Sequence, residues 1–253
     1  MNSLFSMWLL ILNNALVEDA TYNIAQYFIV NYKNLDKISI SKVASDCLTS
    51  PATINKFCRQ IGFQSYQDLK SQVKYFYQIR MKQMEHRFEI MDDQKLLNYL
   101  DTDAKKEFQE QIDQIAKLIY EAKQVRLVGA TYPLALAQNF QEDLIMMGKL
   151  VFFHQCLLFC DDVSFVDDEL VIIVSLTGRI FTYNQNLLNK IFNSKCKVIL
   201  ISQNLCCNIN DLSMYLQLPG LNDSELVNFS LLATYYMIKN SYYHNFYHNN
   251  SCF

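Results

Sequence analysis

Along the first 80 residues apolar positions recur at intervals of three and four, the spacing of one helix face, and nothing alternates as a strand does. In TYNIAQYFIVNY the stripe runs through Ile24, Tyr27, Phe28 and Tyr32. ISISKVASDC follows, with Ser39 or Ser41 as the cap and Ile40, Val43, Ala44 and Cys47 facing inward. The run LTSPATINKFCRQIG has Ser50 as N-cap, Pro51 at the first helical position and Gly62 as a stop. Its apolar residues Ile54, Phe57, Cys58 and Ile61 line one face, leaving Thr53, Asn55, Lys56, Arg59 and Gln60 on the outside. A fourth helix begins near Ser65, with Asp68 placed as a capping-box partner.

Residues 71–103 read as a polar helical connector that ends in the linker MDDQKLLNYLDTDA. Beyond it the pattern changes. The helix AKKEFQEQIDQIAKLIYEAK precedes the strand QVRLVG, and a helix from about Pro133 to Met147 precedes the strand LVFFH. The strand ELVIIVSL, the helix YNQNLLNKIFNSK, the strand CKVILIS, a short strand near LSMYLQL and a helix from about Asp223 to Lys239 complete the series. Short buried apolar strands separated by helices predict an open, mostly parallel sheet with helices on both faces. The expected architecture is therefore an all-α domain over 1–82, a connector over 83–103 and an α/β domain over 104–253.

Charge sharpens the division. Residues 1–82 hold nine Lys and Arg against five Asp and Glu, while the remainder holds thirteen against twenty. A basic head on an acidic body is the asymmetry expected if only the head meets nucleic acid. The eight cysteines show no C-x-x-C spacing, and Cys47, Cys58, Cys156, Cys160 and Cys196 stand in apolar surroundings, as buried thiols of a reducing compartment do. Cys206 and Cys207 have no ligand partner at a recognisable spacing. The opening MNSLFSMWLLILNNALVEDA has a short apolar core without a basic flank, so it reads as a helix packed on the head rather than a signal peptide. No run reaches the roughly 18 apolar residues of a membrane span. A cytoplasmic protein is expected.

Two short helices joined by a tight turn, the second opening on Ser-Pro, suit a helix-turn-helix. In that reading Thr53 touches a base edge or methyl group, Asn55 makes a bidentate contact to adenine, and Lys56 and Arg59 reach guanine or phosphate. Ser50 and the helix N-terminus hold a phosphate. The pattern alone equally fits a capped amphipathic helix in any small bundle. The residues themselves carry a resemblance that separates the two. Ile40, Val43, Ala44, Ser50, Thr53, Ile54, Lys56, Phe57, Arg59, Ile61, Gly62, Phe63, Tyr66 and Lys70 resemble the N-terminal domain of the RpiR family of bacterial transcriptional regulators. The resemblance runs over most of residues 15–75 and implies binding to double-stranded DNA, on an inverted repeat if the protein pairs. Lys56 stands where the family more often has Arg, which keeps the charge without the planar fork.

In the body, LVGATYPLA and VSLTGRIF each leave a buried strand and open a helix, the location of an anion cradle. One glycine in such a turn is common, so either loop alone is an ordinary connection. Their order along the chain resembles the sugar isomerase (SIS) domain, the usual effector domain of RpiR regulators, over about residues 105–240. That resemblance implies a phosphorylated sugar as ligand, held by Gly129, Thr131, Ser175, Thr177, Gly178 and Arg179, in a homodimer or homotetramer. Leu127 occupies the first Gly position of the family loop and Ile180 replaces a hydroxyl, so a ligand-free domain serving only assembly is the alternative. A sugar-phosphate isomerase is the remaining reading. It needs a tuned base, and among Glu142, Asp143 and Glu225 the sequence isolates none. Glu142 and Asp143 are expected at a helix surface or a subunit interface. No enzyme, cofactor or metal site is expected, and His244, His248 and Cys252 read as a solvated tail.

Overall fold

The computed structural model of the chain describes residues 4–15, 17–100, 104–156, 163–203, 212–219 and 226–248. The expectations placed on Cys160, Cys206, Cys207, Glu225 and Cys252 lie outside them. The chain divides into two compact units, residues 1–89 and residues 90–253.

The first unit is all-α. Helix α1 (Leu4–Asn14) lies on α2 (Ala20–Asn31), which continues into a 3-10 turn, Tyr32–Lys37. Then come α3 (Ile40–Asp46), α4 (Pro51–Gln60) and α5 (Tyr66–Ile90). Asp19, Ser39 and Ser50 cap α2, α3 and α4, each side chain accepting a backbone N–H of its first turn. The core is aromatic. Phe28 meets Trp8 at 5.3 Å, Phe57 at 5.6 Å and Tyr66 at 5.9 Å between ring centres, the first two edge-to-face. Tyr66 satisfies its buried hydroxyl on the carbonyls of Leu35 and Ile38. Tyr27, placed by its spacing on the apolar stripe, is only half-buried because its hydroxyl reaches out to Asp46 at 2.9 Å. Residues 83–90, read as connector, are the closing turns of the 25-residue α5.

The second unit is α/β. Helices α6 (Asp93–Tyr99) and α7 (Lys105–Glu121) lead into β1 (Gln124–Gly129). The single helix expected next is two, α8 (Thr131–Leu136) and α9 (Gln138–Met146), broken at Ala137. There follow β2 (Val151–Gln155), β3 (Glu169–Val174), α10 (Ile180–Tyr183), α11 (Gln185–Phe192), β4 (Lys197–Ser202), β5 (Met214–Gln217) and α12 (Leu226–Tyr242), with a π-helical turn over Tyr243–Tyr247. The strand order is β2-β1-β3-β4-β5 and all four pairings are parallel. Val128, Val171, Ile173, Val198 and Leu200 turn one face of the sheet to Leu187, Leu188 and Ile191 of α11. The alternate residues Leu127, Ile172, Ile199 and Ile201 are buried as well, so both faces are covered. Within the segment read as linker, α6 docks on α12, where Asn240 Nδ2 donates to Asp93 Oδ1 at 2.9 Å. Among the described residues no helix is long and apolar enough to cross a membrane.

Candidate functional site

Helices α3 and α4 are built to hold one exposed face. Both end in the same motif. At the close of α4, Gly62 sits at φ 97° while Phe63 N donates to Cys58 O and Gly62 N to Arg59 O. At the close of α3 the matching bonds run from Thr49 N to Ala44 O and from Leu48 N to Ser45 O, and the left-handed residue is Leu48 at φ 51°. That turn sets α4 across α3, with Val43, Ala44, Ile54, Phe57 and Cys58 buried in the head core.

What α4 leaves outside is short and hydroxyl-bearing at its start and basic in its second half. Ser50 Oγ accepts Thr53 N at 3.2 Å and lies 2.9 Å from Thr53 Oγ1, so the two hydroxyls form one polar edge at the helix start. Lys56, Arg59 and Gln60 are exposed. Asn55 is different. It is half-buried and its Oδ1 accepts the amide of Tyr66 at 2.9 Å, tying α4 to the start of α5. Nothing in the spacing of α4 signals this, because the partner is eleven residues away. Ahead of the turn, Lys42 and Tyr27 both bond Asp46, and they hold its carboxyl below the usual range, Lys42 first. Burial pushes the Cys58 thiol up to about 12 and the Cys47 thiol to about 11, so both stay protonated and unreactive at neutral pH.

The second candidate lies at the C-terminal edge of the sheet. The direction in which strands are added reverses between β1 and β3, and open α/β sheets bind ligands at such a switch point. Gly129 pairs with Val174, so the loops carrying Thr131 and Ser175 leave the sheet side by side. A Cβ on Gly129 would stand 2.9 Å from Val174 O. The glycine is required first by this close approach of two strands. Ser175 is buried; its amide donates to Ile201 O, its carbonyl accepts Ser202 Oγ at 2.6 Å, and its hydroxyl makes no hydrogen bond among the described residues. Gly178, at φ 72°, closes the turn by donating its amide to Ser175 O. Thr177 and Arg179 are exposed on this turn. Thr131, also exposed, donates to Gln155 Oε1 at 3.4 Å, toward β2. The sequence reading missed Ser202, which buttresses the Ser175 carbonyl, and Gln203 beside it; polar residues ending the apolar run KVILIS were the available signal.

Glu142 and Asp143 are not at a surface. Both are buried within the unit, and Asp143 Oδ2 receives the ammonium of Lys239 at 2.7 Å. The α9–α12 packing carries them inward, and the partner that makes this possible lies 96 residues away, out of reach of local patterning. Among the described residues no three His, Cys, Asp or Glu side chains gather as metal ligands.

Residues 14–80, which span the capped α2–α4 array and the start of α5, match the helix-turn-helix domain of the rpiR family. The head is an rpiR-family helix-turn-helix domain. No curated protein matches the chain. Among solved structures, the NanR protein of Vibrio vulnificus complexed with ManNAc-6P is similar at 14% identity, covering 96% of this chain and 94% of its own, with a TM-score of 0.45. The sugar isomerase domain of an RpiR transcription factor from Sphaerobacter thermophilus is similar at 15% identity over 65% of this chain and 87% of its own, TM-score 0.45. A Methanococcus jannaschii protein inferred to be a 3-hexulose-6-phosphate isomerase shows 15% identity over 65% and 89%, TM-score 0.43.

Proposed function

We propose that this protein is a cytoplasmic transcriptional regulator of sugar or aminosugar metabolism genes, without enzymatic activity, whose α/β unit binds a phosphorylated sugar. The observation that carries the reading is the rpiR-family head with a basic, hydroxyl-edged α4 exposed along it. In this reading the start of α4 enters the major groove. The Ser50–Thr53 edge and the first amides of the helix take a phosphate, and Lys56 and Arg59 contact guanine or the backbone. Asn55 contributes by fixing α4 against α5 rather than by reading adenine. A homodimer presents two heads to an inverted repeat, because two-fold symmetry asks for a palindromic site.

Support for the effector site comes from Ser175, a buried residue at the switch point of the sheet whose hydroxyl makes no hydrogen bond among the described residues, and from the adjacent turn of Thr177, Gly178 and Arg179. A phosphate there receives hydroxyl and amide donors, with Arg179 adding charge from the rim. A ligand that binds two arrangements of the dimer unequally shifts their populations, and about 5.5 kcal/mol of difference is enough to reverse a 1:99 ratio. The second reading, a body that serves only assembly, is favoured by the engagement of Gly129 in strand packing and of Thr131 with Gln155. Thermal melting against a panel of sugar and aminosugar phosphates tests the choice. A saturable rise with one compound, lost in Ser175→Ala, is expected. No rise across the panel would leave the DNA-binding head and assign the body to assembly.

A further inference from the structure

Beside the β3 loop stands the end of β4, and it carries a side chain that neither the fold nor the phosphate cradle uses. Gln203 directly follows β4, and its amide donates to Leu176 O, which sets it next to the Ser175 turn. The residue is 8% exposed, and its Nε2 is buried with no hydrogen-bond partner among the described residues. The neighbouring Ser202 is buried more deeply still, and its hydroxyl donates to the Ser175 carbonyl. A buried donor left unpaired lowers stability, and one retained in a folded protein calls for a reason outside the fold. Its position supplies one. Neighbouring strands lie about 4.8 Å apart, so the end of β4 stands about one strand spacing from the end of β3, which Ser175 directly follows, on the scale that separates a phosphate ester from the hydroxyls of its own sugar.

We infer that Gln203 reads the carbohydrate part of the effector, donating from Nε2 to a sugar hydroxyl or carbonyl oxygen while the Ser175–Arg179 turn holds the phosphate. The inference rests on the reading of that turn as a phosphosugar site. It divides the recognition between two loops: β3 takes the anion, common to every candidate, and β4 takes the uncharged part that distinguishes one sugar from another.

Full-length protein carrying Gln203→Leu, with Gln203→Met as a second variant should the first fail to fold, provides the test. Melting temperature without ligand is measured first, then calorimetric affinity for inorganic phosphate and for the panel of sugar phosphates. The unliganded variant is expected to melt at or above the wild type, since it loses an unpaired donor. Its affinity for the phosphosugar that binds the wild type falls tenfold or more, and its affinity for inorganic phosphate does not change. A variant clearly less stable than the wild type without ligand would overturn the inference, because the amide would then have a partner within the fold. Equal phosphosugar affinity in variant and wild type would overturn it while leaving the effector site standing, and parallel losses for phosphate and phosphosugar would overturn the assignment to the sugar. If the wild type binds none of these compounds, the effector site itself fails and the inference with it.

Discussion

Replacing Lys239 by Met removes one charge from a pair that has no access to water. Lys239 is 2% exposed, and the Asp143 side chain 2.7 Å away is fully buried. The same ammonium donates to Asn139 Oδ1 and stands 3.9 Å from the centre of the Tyr236 ring. Stripping one partner from a buried ion pair leaves an uncompensated charge in the interior and costs about 3–5 kcal/mol. In a unit of this size that lowers the melting temperature by roughly 6–20 °C, taking about 2–4 °C per kcal/mol. The double variant Lys239→Met/Asp143→Leu removes both charges and is expected to return to within about 1–2 kcal/mol of the wild type. Urea unfolding of the wild type, the two single variants and the double variant closes the cycle and yields the coupling energy. Two results would refute the reasoning: a loss below about 1 kcal/mol in Lys239→Met, or a double variant that loses the sum of the singles.

Three further substitutions probe individual features. Leu48 is 94% exposed and left-handed, a conformation that costs an L-residue about 1–2 kcal/mol, so Leu48→Gly, after the entropy Gly loses on folding, should stabilise the head by about 0.5–1 kcal/mol in a denaturant melt. Gly129→Ala drives a Cβ against Val174 O and should destabilise the protein by about 1–3 kcal/mol, whether or not a ligand binds. Asp93 has its pKa raised from 3.8 to about 6, chiefly by burial, with the Asn240 hydrogen bond opposing and the charges of Asp113 and Asp92 adding. Its folded pKa lies above the unfolded one, so its stabilising contribution is complete below about pH 4 and is lost as pH rises through 6. Asp93→Asn should therefore exceed the wild type at pH 7 by about 1 kcal/mol, the screened remainder of a larger shift, and the gap should close by pH 4. A gap that does not change with pH would contradict this assignment.

Much of this architecture is legible in the sequence. Ser39, Ser50, Pro51 and Gly62 mark helix ends through local chemistry, and the α3–α4 pair follows from them. The apolar runs LVIIV and VILI require strands buried on both faces, and a parallel sheet follows. What escaped depends on partners distant in sequence. Asn55 looked exposed by helical phase, yet its oxygen meets the amide of Tyr66; Glu142 and Asp143 looked like surface acids because Lys239 is a whole domain length away. The docking of α6 through Asp93 and Asn240 has the same cause. Gly129 reads as a place where the backbone approaches a ligand, and strand packing supplies a requirement of its own, since its missing Cβ makes room for the carbonyl of Val174. Leu48 carried no sequence mark of its left-handed backbone, because leucine is not the residue that turn favours.

The central claim is that the head reads double-stranded DNA through α4. Selection of duplexes from a random pool by the full-length protein, followed by affinity against salt for the wild type, Lys56→Ala and Arg59→Ala, tests it most directly. The account predicts enrichment of an inverted repeat and weaker binding by both variants, with the salt slope falling by about 1 for whichever side chain contacts phosphate. Absence of any enriched duplex, or affinity and slope unchanged in both variants, would contradict it.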